Sequence, residues 1–371
     1  MSKIKVLTVF GTRPEAIKMA PLVKELEKQP DVFESIVCVT AQHREMLDQV
    51  LKLFDIKPNF DLNIMKPNQD LWTITSDVLL LMKKVYEECQ PDIVLVHGDT
   101  TTSMAAALSA FYAKIPVGHV EAGLRTFDKH YPFPEEINRV FADAVCTYHF
   151  APTDTSVENL IKSAIPQNHI YKTGNTVIDA LLHTVENNKE DLSYIGLDAN
   201  LKTILLTSHR RENFGEPIRN ICKAVLELVE KNNDIQVVYP VHLNPNVQKP
   251  VKELLGGKER IHLIEPMEYA PFSSLMKEAH LIMTDSGGVQ EEAPSLGKPV
   301  LVLRTTTERP EAVEYGTVKL VGTNTKKIVD EIQNLLDNDE EYKKMSESIN
   351  PYGDGLASKR IVEIIKKELA K

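Results

Sequence analysis

Short apolar, often β-branched runs alternate along this chain with amphipathic stretches of roughly ten to fifteen residues, and the alternation occurs in two successive series. Apolar runs spaced by helical patterns are the mark of βαβ units, in which helices cover both faces of a parallel sheet and the strands stay apolar throughout. The first series places strands near residues 5–10, 35–40, 93–97, 116–120 and 148–151. The second places them near 203–207, 236–239, 261–263, 281–284, 300–303 and 318–321. At 371 residues the chain exceeds the size at which a single core stops growing. The expected fold class is therefore α/β, with two Rossmann-like domains whose parallel sheets face a cleft. A short polar stretch over 167–175 separates the series, giving an amino-terminal domain over 1–172 and a carboxy-terminal domain over 173–354. By analogy with other two-domain α/β enzymes, a last helix within 355–371 crosses back to the first domain.

Composition narrows the function classes. A net charge of -10 disfavours nucleic-acid binding, which needs a concentrated basic face. No run approaches the ~18 apolar residues that span a bilayer, and the first residues lack a signal-peptide pattern. A cytoplasmic protein without membrane partners is expected. Cys38, Cys89, Cys146 and Cys222 are scattered without paired spacing, so neither a zinc site nor a disulfide framework is expected and core packing accounts for them.

In open parallel sheets, ligands bind beyond the carboxyl ends of the strands. The first such turn reads Phe10-Gly11-Thr12-Arg13-Pro14-Glu15, with one glycine where a dinucleotide fingerprint needs three, so a nicotinamide cofactor is not expected. Pro14 suits a first helical position, and Arg13 and Lys18 set two cations at a helix end that already favours anions, which suggests a phosphate. A solvated pair on a helix surface is the plain alternative, and Pro21 implies a kink or restart. Asp99 and Glu121 directly follow apolar runs, where desolvation and mutual repulsion are expected to raise at least one carboxyl into a range useful for proton transfer. Asp99 also has the form of an ordinary helix cap, and Glu135, after Pro134, that of a dipole partner in a first turn.

In the second series, Leu281-Ile282-Met283-Thr284-Asp285 runs into Ser286-Gly287-Gly288, a strand, a glycine pair and a helix start. Without side chains there, backbone N–H groups can approach a diphosphate, helped by the helix dipole. Glu292, one turn on, is placed for ribose hydroxyls, with a solvated acid as the alternative. His209 in Ser208-His209-Arg210-Arg211 follows a strand between polar neighbours; it can move a proton or meet a phosphate, and Arg211 can reach the same anion. His242 holds the corresponding place after the next strand.

Five segments in register resemble the non-hydrolysing UDP-N-acetylglucosamine 2-epimerases of bacteria. They are Gly11-Thr12-Arg13-Pro14-Glu15-Ala16-Ile17-Lys18, His97-Gly98-Asp99-Thr100-Thr101, Val120-Glu121-Ala122-Gly123-Leu124-Arg125, Thr284-Asp285-Ser286-Gly287-Gly288 and Glu308-Arg309-Pro310-Glu311. The resemblance spans essentially the whole chain. It implies a glycosyltransferase-B-like fold, a homodimer, and interconversion of UDP-GlcNAc with UDP-ManNAc for cell-surface polysaccharide synthesis, without cofactor or metal. It implies Asp99, Glu121, Glu135 and His209 as catalytic groups. Arg13, Lys18, Arg211, His242, Ser286, Gly287, Gly288 and Glu292 become substrate contacts, with Phe272 near the uracil. Many members bind a second UDP-GlcNAc as activator through segments matching Gln42, His43, Arg211 and His242; Glu45 and Asn68 stand here where Gln and Arg are expected.

The C2 hydrogen of such a sugar is not acidic, so its removal must be coupled to departure of UDP, leaving a 2-acetamidoglucal to which UDP re-adds. Carboxyl groups on opposite faces of C2 would handle the proton, and Arg13 with the glycine loop would stabilise the leaving diphosphate. The rivals are a glycosyltransferase of the same architecture, a hydrolysing epimerase and a non-catalytic nucleotide-sugar sensor.

Overall fold

The runs predicted as strands form two sheets in which every neighbouring pair is parallel. In the first are β1 (Ile4–Phe10), β2 (Phe33–Val39), β3 (Phe60–Asp61), β4 (Ile93–His97), β5 (Val117–Val120), β6 (Tyr148–Ala151) and β7 (Ile170–Lys172). In the second are β8 (Lys202–Thr207), β9 (Ile235–Pro240), β10 (Ile261–Ile264), β11 (Leu281–Thr284), β12 (Val300–Val302) and β13 (Val318–Leu320). The computed structural model describes residues 2–41, 44–66 and 69–370. The chain divides into Met1–Ala180 with Tyr352–Lys371, and Leu181–Pro351.

The strand order is β3-β2-β1-β4-β5-β6-β7 in the first unit and β10-β9-β8-β11-β12-β13 in the second. Each order reverses once, between β1 and β4 and between β8 and β11, and such switch points open a crevice at the carboxyl ends of the strands. The turns after β1 and β4, and those after β8 and β11, are the segments that carry the polar motifs. Burial on both faces explains the near-continuous apolar sequence: all five residues of β4 and all four of β11 are buried.

Two strands escaped the pattern. The segment over 167–175, expected as a polar separator, contains the edge strand β7, paired to β6 through Ile170 and His149. Neither β7, with two half-exposed residues and one exposed, nor the two-residue β3 carries a readable period.

The helix Arg13–Glu27 opens with a capping box, in which Thr12 accepts from the N–H of Glu15 while the Glu15 carboxylate accepts from the N–H of Thr12. It runs through Pro21 without the expected restart, since the lost backbone bond is offset by a buried face of Met19, Ala20, Leu22, Val23 and Leu26. Against that face packs the helix Ala357–Leu369, through Ile361, Val362 and Ile365. Its first turn is capped by Asp179, which accepts from the N–H of Ala357 at 3.2 Å and of Ser358 at 2.7 Å, a contribution of about 1 kcal/mol.

Cys38, Cys89 and Cys222 are buried, Cys146 is half-buried, and all four are free thiols. Among the described residues no helix is long and apolar enough to cross a membrane, and no cluster of three or more His, Cys, Asp or Glu residues could hold a metal ion.

Candidate active site

At the first turn, the helix end expected to await a phosphate already holds an internal anion. Glu15, 2% exposed, accepts through Oε2 from the N–H of Gly11 at 3.0 Å and of Thr12 at 2.8 Å, and through Oε1 from the hydroxyls of Thr100 at 2.5 Å and Ser103 at 2.9 Å. Burial raises its carboxyl above the ordinary range, against the pull of those bonds. The amides of Gly11 and Thr12 are thus engaged, and what the turn presents to solvent is the half-exposed Arg13.

Lys18 is also drawn inward. Its ammonium donates to Oε1 of Glu121, which accepts from Asn175 Nδ2 at 2.8 Å as well. Glu121 sits directly after β5 with φ of 63°, a left-handed conformation that costs a non-glycine residue roughly 1–2 kcal/mol. Its side chain is only 8% exposed. Burial opposes its charge, but Lys18, then His97, together with the hydrogen bonds from Lys18 and Asn175, hold the carboxyl down at about 2. Oε2 faces the ring of His97 across 3.4 Å, and His97 Nε2 has no hydrogen-bond partner. Burial pushes His97 down to about 3, so the ring is neutral near pH 7 and Lys18 is the cation that keeps Glu121 ionised.

This corrects the expectation that two carboxyls would push one of their number upward. Each has a cation instead. Asp99, after β4, is paired with Arg139, and its backbone carbonyl accepts from Asn138 Nδ2 at 2.9 Å. Arg139 also binds Glu136 at 3.0 Å, and Glu136 accepts from the N–H groups of Thr126 and Phe127 at 3.0 Å each. Glu136 is therefore a structural acid, whereas its neighbour Glu135, the first residue of the helix Glu135–Val145, is half-exposed. The chain brings Asp99 and Glu121 to the carboxyl end of one sheet, with Arg139 linking Asp99 to the helix that Glu135 begins.

In the second unit the organising residue is one that sequence reasoning passed over. Asp285, directly after β11, is 0% exposed and accepts from Ser208 Oγ at 2.8 Å, His209 N–H at 2.9 Å, Arg210 N–H at 3.0 Å and Asn213 Nδ2 at 2.9 Å. It thereby shapes the turn after β8 that presents His209 and Arg211. The signal was available: β8 and β11 each end in a threonine, and a strand-end acid beside a polar turn is a natural acceptor for that turn's donors. His209 Nδ1 lies 3.3 Å from Asp285 Oδ1, and its ring stacks on His242 with centroids 5.8 Å apart. Burial lowers His209 below the usual histidine value despite Asp285. Arg211 and His242 are exposed.

The glycine pair opens a helix of six residues, Gly287–Glu292, which passes at Ala293-Pro294 into a tighter turn. The expected macrodipole is accordingly short, because proline stops the helix. What makes the loop special is a guanidinium: a Cβ on Gly287 would stand 2.8 Å from Cζ of Arg309, whose Nε donates to Glu291 at 2.7 Å. Ser286 precedes the pair, its N–H donating to Thr284 Oγ1 at 2.9 Å. Glu292 accepts from the Tyr269 hydroxyl at 2.8 Å, and Phe272 is carried on the same helix as that tyrosine, Tyr269–Glu278. Gln42, His43 and Asn68 lie outside the described residues; Glu45 is exposed in the first turn of the helix Arg44–Leu53.

Comparison with known proteins joins these motifs to a single family. The family model described as UDP-N-acetylglucosamine 2-epimerase matches residues 24–366. The UDP-N-acetylglucosamine 2-epimerase of Yersinia pestis is 58% identical, with 98% of each chain covered, and that of Escherichia coli K12 is 57% identical with the same coverage. A crystal structure of the Neisseria meningitidis UDP-GlcNAc 2-epimerase bound to UDP-GlcNAc is 56% identical, covers 98% of this chain and 100% of its own, and superposes with a TM-score of 0.88. A match of that extent, over both sheets and the loops that end their strands, leaves one conclusion: this chain is a member of the UDP-N-acetylglucosamine 2-epimerase family.

Proposed function

We propose that this chain interconverts UDP-GlcNAc and UDP-ManNAc by inverting C2, through elimination of UDP to 2-acetamidoglucal and re-addition. Relatives that share more than half of its residues over nearly their whole length are named UDP-N-acetylglucosamine 2-epimerases, which supports inversion at C2. The observation that carries the reading is Glu121, a carboxylate kept ionised by Lys18 with Oε2 directed away from that lysine's bond. Such a group stands ionised and able to receive a proton near neutral pH, and the pairing that keeps it charged also lowers its basicity.

In this reading a carboxylate takes the C2 proton, the C2–H electrons form the C1=C2 bond, and the C1–O pair departs with UDP. Return of UDP oxygen to C1, with a proton delivered to the other face of C2, completes the inversion. The electron pair never leaves the substrate and UDP, so no redox cofactor is required. Asp99 and Glu121 form the proton-handling pair with Glu135 assisting, each worth ~10²–10⁴ in rate. Arg13, Ser286, Gly287, Gly288 and Arg211 stabilise the departing diphosphate. Lys18 contributes by keeping Glu121 charged. His209 is a further catalytic group, His242 flanks the phosphates, and Glu292 and Phe272 meet the nucleoside. The family resemblance also supports a homodimer, action in the cytoplasm, a product destined for cell-surface polysaccharide, and activation by a second UDP-GlcNAc.

Turnover in deuterated water tests the chemistry. Deuterium should appear at C2 of both sugars, and a product free of label would end the elimination mechanism. The loop is tested separately by Gly287→Ala, whose methyl group must displace Arg309. The expected result is a rise in Kd for UDP of about tenfold, or ~1.4 kcal/mol, in calorimetric titration. An unaltered Kd would remove the glycine loop from the UDP contacts.

A further inference from the structure

His119, one of the buried ionisable groups that the proposed chemistry leaves unused, has a geometry that assigns it a definite state. It lies on β5 two residues before Glu121 and is 0% exposed. Its Nδ1 is 2.6 Å from Asp143 Oδ1, and its Nε2 is 2.7 Å from the carbonyl oxygen of Gly98. A carboxylate and a carbonyl only accept, so each nitrogen must carry a hydrogen. The alternative, a protonated Asp143 donating to a neutral ring, is opposed by Arg125, whose Nη2 donates to the other oxygen of Asp143 at 2.6 Å. A carboxyl beside a buried guanidinium stays ionised. Asp143 is thus one anion between two cations, on a side chain 2% exposed.

We infer that His119 is a fixed imidazolium, clamped between Asp143 and the Gly98 carbonyl, and that it acts as a positioning residue for Asp99. The inference rests on the proposed function for what Asp99 does, but not for the state of the ring. Gly98 has φ of 63° and donates its N–H to Val120 O at 2.9 Å. With its carbonyl held by His119, the Gly98–Asp99 peptide is tied to β5, and a charge-assisted bond is roughly twice as strong as a neutral one. Asn138 holds the carbonyl of Asp99 and Arg139 its carboxylate, so the acid is constrained along its length. A displacement of about 1 Å at a reacting group can cost ~10²-fold in rate, which sets the scale of what the clamp protects.

The experiment combines a spectrum with kinetics. In the intact protein labelled with ¹⁵N-histidine, with the His119 signals assigned by their loss in His119→Gln, both ring nitrogens should be protonated at pH 8. In Asp143→Asn one of them should lose its hydrogen. His119→Gln, which can serve one partner but not both, should lower kcat for epimerisation by about 10–10²-fold while leaving the Kd for UDP within twofold. A wild-type spectrum with one bare ring nitrogen overturns the assignment, whether or not any variant folds. A folded His119→Gln protein with undiminished kcat overturns the positioning role. Should the wild type fail to epimerise UDP-GlcNAc while its spectrum shows the imidazolium, the functional reading fails and the clamp stands.

Discussion

Glu121→Gln should lower kcat for epimerisation by about 10²–10⁴-fold and abolish exchange of the C2 hydrogen with solvent, with UDP affinity retained. The amide keeps the shape of the side chain and can still accept from Asn175, but it cannot receive a proton from carbon. It also removes the charge at position 121 with which Lys18, whose side chain is 16% exposed, is paired. Breaking a buried pair from one side costs roughly 3–5 kcal/mol, so the melting temperature should fall as well. Lys18→Met isolates the electrostatic part. With Lys18 in place, Glu121 is held at about 2, so this group puts no limb on the acid side of the pH–rate profile at ordinary pH. Without Lys18, the cation that opposes burial is gone, the carboxyl rises, and an acid limb should come into view. The sign for stability follows the same logic: a depressed carboxyl stabilises the fold fully above its unfolded value of about 4.5 and loses that contribution as pH falls through about 2. Retention of wild-type turnover by Glu121→Gln would remove the residue from the chemistry.

Asp285→Asn is expected to be the most damaging single change in the second unit. The carboxylate serves the donors of Ser208, His209, Arg210 and Asn213 at once. All four bonds end on Oδ2, so an amide that sets its oxygen there keeps them only as a neutral acceptor, and it turns its NH₂ toward the His209 N–H that Oδ1 meets at 3.1 Å. A charge-assisted bond is roughly twice as strong as a neutral one, so losing the charge under four bonds and facing an N–H with an NH₂ should together cost several kcal/mol and appear in the melting curve. Because the turn that presents His209 and Arg211 would open, kcat should fall together with stability. The double change Asp285→Asn with His209→Ala should then be far less than additive in kcat, since both remove the same arrangement. An Asp285→Asn protein that melts and turns over like the wild type would refute the account of the turn.

The order of strands was legible because parallel strands buried on both faces leave an unbroken apolar signature, as in Ile93–His97 and Leu281–Thr284. The strand-end positions of Asp99, Glu121 and His209 were legible because each lies within two residues of the end of such a run. Their partners were not. Lys18 and Glu121 are 103 positions apart, and only the crossover that sets β1 beside β4 and β5 next to β4 brings them together. The same holds for Glu15, which reads as half of a capping box but also holds Thr100 and Ser103. Local sequence reveals which residues are polar at strand ends, whereas tertiary pairing decides which of those charges are already satisfied. That distinction put an internal carboxylate, Glu15, on the amides of the turn where Arg13 was expected to meet a phosphate, and gave an expected pair of repelling acids separate cations.

The helix Ala357–Leu369 gives the chain an unusual timetable during synthesis. The unit that the ribosome begins first is the unit it finishes last, because Ile361, Val362 and Ile365 belong to the core started by Met19 and Leu22. Residues 181–351 can close their own core while the earlier one still lacks a wall. Until the helix Ala357–Leu369 emerges, the part of Arg13–Glu27 that it covers waits open, although β1, β2 and the helix Arg44–Leu53 already cover the rest, and a nascent chain paused before that point offers the open part to chaperones or to aggregation.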